Sequence, residues 1–158
     1  HAVTLHRTYL RDGRKALGTQ SRKVLSSGIN GAAVRLFEAG DELAVAEGIE
    51  TALAVHLSTG KPVWAALNCG NLEKLWIPDP VTRVCIYADN DASAEFDGQA
   101  SAYALAHRLK RDARKLAGAN PDQPDRPTRE VQVFVPRQDG TDWADIWLAR
   151  LATSRRAA

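Results

Sequence analysis

The sequence contains no methionine, only two cysteines and few aromatic residues. The lack of methionine, even at the first position, predicts that the chain is cut from a longer polypeptide. Cys69 and Cys85 have neither the spacing of a zinc pair nor the pattern of a secreted disulfide framework, which favours a reducing, cytoplasmic setting. No apolar run approaches the roughly 20 residues that span a bilayer, and no signal peptide heads the chain, which argues against a membrane partner.

The length of the chain indicates how many domains it forms, and the distribution of its charges indicates what it binds. Its 158 residues, 44% of them hydrophobic, suffice for one compact core and are few for two. Lys and Arg number 21 against 19 Asp and Glu, but acids dominate residues 38–50 and bases are prominent near both ends. Bases beside an acidic centre suit a protein that handles phosphates, although ordinary solvated charges would give the same pattern.

Short apolar runs alternate with helical patterns from residue 43 onward. We expect parallel strands at 43–46, 63–67, 83–88 and 130–135. They should be joined by helices at about 50–58, near 72–76 and at about 94–117, with a last helix opening in 140–147. This order predicts an α/β fold with a doubly wound (Rossmann-like), mostly parallel sheet of about four strands flanked by helices.

The N-terminal part has a different pattern. Alternating residues before the turn signal Asp12-Gly13 predict a hairpin, residues 18–31 have the composition of a loop, and residues 33–37 are a further candidate strand. We therefore expect a β-rich basic extension over 1–40 and an α/β domain over 41–158.

Two of the predicted strands end abruptly in carboxylates, one at Glu47 and the other at Asp89 and Asp91. The carboxyl ends of parallel strands lie at one edge of the sheet, where α/β proteins place their ligands. Carboxylates gathered there repel one another unless a cation neutralises them, and hard oxygen ligands suit Mg²⁺ or Mn²⁺. The pattern predicts a divalent-metal site, with polar strand ends and turns as the alternative.

Three segments, taken in their order along the chain, resemble the Toprim domain. They are Leu-Ala-Val-Ala-Glu-Gly-Ile-Glu-Thr-Ala at 43–52, Tyr-Ala-Asp-Asn-Asp at 87–91 and Gly-Thr-Asp-Trp-Ala-Asp at 140–145. Bacterial-type primases, type IA and type II topoisomerases and some nucleases share this fold. The resemblance covers about 41–150 and is greatest to the Toprim domains of plasmid, phage and integrative-element primases.

The resemblance implies a role for each carboxylate. Glu47 corresponds to the glutamate that acts as general acid or base and can join the metal site. Asp89 and Asp91 correspond to the paired aspartates that coordinate magnesium. Asp142 and Asp145 fall where primases of this type have further carboxylates that help bind metal.

The chain departs from the family pattern at one position. Cellular primases often have an aspartate four residues after the key glutamate, where this chain has Thr51. Glu50, one position earlier, is shared with the mobile-element primases, and two roles stay open for it: metal ligand or helix cap.

The N-terminal segment resembles the part that precedes Toprim in these primases, where a basic face can guide template or nucleotide. Arg7, Arg22 and Lys23 are the candidate nucleic-acid-binding residues. Solvated loop charges are the alternative.

The resemblance implies a catalytic domain of a DNA primase, a nucleotidyltransferase that makes RNA primers on single-stranded DNA from ribonucleoside triphosphates with Mg²⁺ or Mn²⁺. It would serve the replication of a mobile element or bacterial chromosome, with a helicase or further domains of the parent chain as partners. Two alternatives remain: a Toprim nuclease that uses water as nucleophile, and a non-catalytic module that binds nucleotide or DNA in a primase-helicase or relaxase.

Overall fold

The computed structural model describes residues 4–12, 14–15, 22–24, 29–118 and 129–156. Within these ranges the chain forms nine strands and four helices. Their order is β1 (His6–Thr8), β2 (Leu10–Arg11), β3 (Arg14–Lys15), β4 (Arg22–Val24), β5 (Val34–Arg35), β6 (Glu42–Ala46), α1 (Ile49–Thr59), β7 (Val63–Ala65), α2 (Cys69–Leu72), β8 (Arg83–Tyr87), α3 (Asp97–Gly118), β9 (Glu130–Phe134) and α4 (Trp143–Arg156).

A five-stranded sheet with the order β5-β7-β6-β8-β9 forms the centre of the fold. The four strands β6 to β9 are parallel, as predicted, and β5 adds a short antiparallel strand at one edge. Strand β5 falls inside the predicted 1–40 extension yet pairs with β7, and the boundary after residue 40 stays a prediction. The α/β fold class is confirmed.

The sheet has a hydrophobic core on each face. Leu43 and Val45 of β6 pack with residues of α2 and α3, whereas Ala44 and Ala46 pack with residues of α1. A parallel strand between two helical layers must be apolar on both faces, which explains the uninterrupted run before Glu47. No helix in the described ranges is both long and apolar enough to cross a membrane.

Two helices begin at other positions than the sequence predicts. The brief helix expected near 72–76 is α2, at Cys69–Leu72, because the Asn68 side chain accepts a hydrogen bond from the Asn71 backbone N–H at 2.8 Å and caps it there. The long helix expected from about residue 94 begins at Asp97, since Glu95 and Phe96 have φ values of 62° and 63°. A backbone at positive φ cannot continue an α-helix.

The N-terminal strands form two small ribbons. Strands β2 and β3 pair antiparallel around Asp12, which confirms the predicted hairpin there. Strand β4 pairs antiparallel with β1, so the loop predicted over residues 18–31 is wrong at 22–24. The remainder of that loop, residues 18–21 and 25–28, lies outside the described residues.

Candidate active site

Glu47 and Asp89 leave adjacent parallel strands at the same edge of the sheet. Ala46 of β6 lies opposite Tyr87 of β8, so the residues that follow both strands emerge side by side. The Glu47 carbonyl still accepts a hydrogen bond from the Leu67 N–H at 2.8 Å, which fixes the backbone at the strand end. The sheet itself therefore positions both carboxylates.

Asn90 joins the loop after β8 to the segment before α4. Its backbone N–H donates to the Thr141 carbonyl at 3.0 Å, and its carbonyl accepts from the Gly140 N–H at 2.7 Å. Its side-chain oxygen accepts from Gln99 Nε2 at 2.8 Å, and Gln99 Oε1 in turn accepts from the Asp91 N–H at 3.1 Å. These bonds hold the Asp-Asn-Asp loop against both α3 and the start of α4.

The two later carboxylates form the N-terminal cap of α4. Asp142 Oδ1 accepts from the Asp145 N–H at 2.8 Å, and Asp145 Oδ2 accepts from the Asp142 N–H at 3.0 Å. The buried hydroxyl of Thr51 donates to Asp142 Oδ2 at 3.3 Å. Thr51, where the family pattern often has an aspartate, thus ties α1 to this cap.

The other four predicted carboxylates act electrostatically on Asp89. Burial raises the pKa of Asp89 from its ordinary value of 3.8 to about 7, and the negative charges of Glu47, Asp142, Asp91 and Asp145 add to the rise. Its Oδ1 atom is buried and accepts no hydrogen bond from the described part of the chain. An ionised Asp89 therefore lacks a compensating positive charge or donor at this oxygen.

The carboxylates do not converge as a finished metal site. Among the residues that the structure describes, no three His, Cys, Asp or Glu side chains are grouped so that they could hold one ion. Asp142 and Asp145 use oxygens for the helix cap. The donor set still fits a hard divalent cation, because Asp89 Oδ1 is a buried carboxylate oxygen without a partner and its neighbours are carboxylates.

Cys69, at the start of α2, contacts the candidate general base. Its Sγ lies 2.8 Å from Glu47 Oε2. Burial, reinforced by the hydrogen bond to Glu47, raises the pKa of Cys69 to about 12, so the thiol stays protonated and acts as the donor. Sequence reasoning missed this contact, since nothing in the spacing of 22 residues signals it.

Gly98 allows α3 to begin directly against the aspartates. A Cβ atom at this position would lie 2.9 Å from Asp91 Oδ2 and 3.0 Å from the Asp89 carbonyl oxygen. Sequence reasoning missed this residue as well. A glycine seven residues after the second aspartate, at a helix start, is the signal that could have suggested a close approach.

The candidate nucleic-acid-binding residues lie on the β1–β4 ribbon. Arg7 is exposed and pairs with the Lys23 position across the ribbon, while Arg22 is opposite Thr8. Their role stays a prediction.

Comparisons with known proteins find a matching family and similar folds. The Toprim domain model matches residues 42–153, which include all five carboxylates. The fold is similar to a DNA primase domain from Pseudomonas aeruginosa, with a TM-score of 0.56, 16% identity, and coverage of 97% of this chain and 45% of that chain. It is also similar to the DnaG catalytic core, with a TM-score of 0.53, 17% identity, and coverage of 98% of this chain and 47% of that chain.

The solved structures and the family model establish different things about this chain. No curated protein matches the sequence. At 16% and 17% identity the solved structures establish a shared fold, and the chain spans less than half the length of either. The family model, in contrast, matches well over half of the 158 residues and both carboxylate-bearing strand ends. The chain belongs to the Toprim domain family.

Proposed function

We propose that this chain is the catalytic domain of a DNA primase and synthesises RNA primers on single-stranded DNA. The observation that carries the proposal is Asp89, a half-buried carboxylate whose buried Oδ1 has no hydrogen-bond partner in the described part of the chain, among four other carboxylates at one edge of a Toprim sheet. The similarity in fold to two primase structures supports primer synthesis as the reaction.

We assign the carboxylates to a magnesium (or manganese) site. Asp89 and Asp91 would be the main ligands, with Glu47, Asp142 and Asp145 completing the site. A bound divalent cation stabilises the negative charge that builds on the transferring phosphoryl group. The raised pKa of Asp89 supports this role: burial is its main cause, but the neighbouring carboxylates add to it, and a bound cation would neutralise their charge.

Glu47 is assigned to proton transfer or to the metal. In primer extension the 3′ hydroxyl oxygen of the primer forms a bond to the α-phosphorus of a ribonucleoside triphosphate, the bond to the β-phosphate oxygen breaks, and pyrophosphate leaves. The hydroxyl proton would pass to the Glu47 carboxylate. The Cys69 thiol, 2.8 Å from Glu47 Oε2, would orient this carboxylate.

Substrate and partner assignments follow from the same proposal. The template is single-stranded DNA, contacted by Arg7, Arg22 and Lys23, and the substrates are ribonucleoside triphosphates. A helicase or further domains of a longer protein would supply unwinding, in the cytoplasm. The Glu-Gly-Ile-Glu-Thr-Ala form at 47–52 supports a plasmid, phage or integrative-element primase.

A primer-synthesis assay tests the proposal. Single-stranded DNA and labelled ribonucleotides would be incubated with Mg²⁺ and this chain, or a longer natural chain that contains it. Labelled RNA should appear, and Asp89→Asn and Glu47→Gln should each reduce it by at least about 100-fold. Asp79→Asn, at an exposed aspartate outside the site, is the matched control and should leave synthesis intact.

Two other results would redirect the assignment. Degradation of the DNA with no synthesis, lost in the same variants, would replace the primase with a Toprim nuclease. Binding of nucleotide or DNA without either reaction would leave a non-catalytic module.

A further inference from the structure

The outer face of α3 carries a continuous row of basic and aromatic side chains. All six members are exposed, and each lies three or four residues from another member; we call them the basic face of α3: Tyr103, His107, Lys110, Arg111, Arg114 and Lys115.

The basic face points away from the sheet. Ala102, Leu105 and Leu109 of the same helix are buried in the core between α3 and the sheet. At 3.6 residues per turn, the positions of the basic face fall on the side of the helix opposite these three residues. This face is thus available to a partner along several turns.

Positive charge is concentrated in residues 107–115 of α3. Residues 107–115 contain five Lys or Arg and one aspartate, Asp112, whereas the whole chain has a formal charge of only +2. Asp112 is paired with Arg108 at 3.7 Å, and no other ion pair in the described part of the chain involves a residue of 107–115.

The spacing of these charges is unfavourable for the helix alone. Lys110 with Arg114, and Arg111 with Lys115, are like charges four residues apart, an arrangement that weakens an isolated helix. The same arrangement is favourable when a polyanion lies along the helix, because each base then neutralises a phosphate.

The start of α3 lies at the candidate active site. Gly98, in its first turn, packs against Asp89 and Asp91. The 22 residues of the helix extend about 33 Å from there. A strand bound along the basic face would therefore lead to the carboxylates, with Tyr103, which is 58% exposed, on the half of the helix nearer to them.

We propose that the basic face of α3 binds the phosphate backbone of the single-stranded DNA template, with Tyr103 stacking on a base. The identity of the strand rests on the proposed primase function. Lys110, Arg111 and Arg114 would contact successive phosphates. The exposed Tyr103 ring favours a single strand over a duplex, since unpaired bases offer their faces for stacking.

A binding assay without nucleotide tests this inference. Fluorescence anisotropy would measure the affinity of a labelled single-stranded oligonucleotide in EDTA over a range of salt concentrations. The triple variant Lys110→Gln, Arg111→Gln, Arg114→Gln should bind the oligonucleotide at least about tenfold more weakly. The slope of the logarithm of its association constant against the logarithm of the salt concentration should fall in magnitude by about 2. Tyr103→Ala should weaken binding by about fivefold or more without changing that slope.

A matched variant separates this face from overall charge. The triple variant Arg150→Gln, Arg155→Gln, Arg156→Gln removes the same charge from exposed positions of α4 and should bind as the wild type does. Equal losses in both triple variants would overturn the inference, as would wild-type affinity in the α3 variant. Binding to vesicles of anionic lipid with none to the oligonucleotide would also overturn it and point to a membrane surface. A melting temperature no lower than that of the wild type would show that the fold of each variant is intact.

The inference and the proposed function fail separately. Primer synthesis by a protein whose α3 triple variant binds as the wild type does would overturn the α3 assignment alone. Binding through α3 with no primer synthesis would overturn the primase assignment alone.

Discussion

Replacing Asp89 with asparagine should stabilise the metal-free protein at neutral and alkaline pH. Burial and the neighbouring carboxylates raise the pKa of Asp89 to about 7 in the folded state. A carboxyl group whose pKa is raised on folding favours the native state only while it is protonated, so its ionised form destabilises the fold as pH rises. Asparagine has nearly the same shape and cannot ionise.

The size of the effect follows from the pKa. A rise from 3.8 to about 7 corresponds in full to roughly 4 kcal/mol of unfolding free energy. Because Asp89 is only partly buried, solvent screening reduces this figure, and we expect about 1–2 kcal/mol. The difference in unfolding free energy between variant and wild type should appear above about pH 4, where the carboxyl group ionises in the unfolded state. It should become constant above about pH 7.

Urea unfolding in EDTA at about pH 5 and about pH 8 measures this difference. Asp79→Asn, at an exposed aspartate, is the matched control and should show no such dependence on pH. Mg²⁺ at about pH 8 should raise the stability of the wild type by mass action and leave Asp89→Asn unchanged. A variant that is less stable than the wild type at about pH 8 in EDTA, or a difference that does not grow with pH, would refute the electrostatic reasoning.

Two further predictions concern Gly98, next to the site, and the ion pair of Glu42 at the start of β6. Gly98→Ala should destabilise the fold by about 1–3 kcal/mol and weaken Mg²⁺ binding in calorimetry, since the added Cβ would lie 2.9 Å from a carboxylate oxygen; Gly40→Ala, with nothing within 4 Å, should do neither. The ion pair with Lys61 lowers the pKa of Glu42 below its ordinary 4.5, so Lys61→Met should reduce stability at about pH 7 by less than about 1 kcal/mol. That loss should vanish as pH falls below 4.5 and Glu42 becomes protonated; a loss that persists in acid urea titrations would contradict this account.

Strands β6, β7 and β8 could be predicted from the sequence because they are buried on both faces of the sheet and are therefore almost continuously apolar, whereas β9 is exposed at Glu130 and Gln132. Their order could not be, because β6 lies between β7 and β8 through contacts that no local pattern encodes. The same reason explains β4, whose residues look like a loop and form a strand only because they pair with β1. Local sequence patterns can identify a strand, but its position in a sheet depends on pairing with strands that are distant in sequence.

Glu47, Asp89 and Asp91 could be predicted as candidates because strand ends are local features, whereas Asp142 and Asp145 were candidates only through the resemblance to the Toprim domain. Asn90, Gly98 and Cys69 were not, since their roles depend on contacts made through space: a bridge to the segment before α4, a close approach of α3, and a thiol beside Glu47. The sequence thus identifies candidate carboxylates, and the fold adds the residues that contact them.

Electrostatic repulsion on Asp89 from the other carboxylates would link the stability of this domain to the binding of a divalent cation. In the metal-free state the ionised Asp89 opposes folding, because it is partly desolvated and four negative groups act on it. A divalent cation would remove that repulsion, so the free energy lost by the metal-free fold would reappear as affinity for the cation. Asparagine at this position removes both the repulsion in the metal-free fold and the affinity for the cation. If the site serves a metal, gain of stability without metal and loss of metal binding must therefore occur in the same variant, a pairing that an ordinary surface aspartate would not produce.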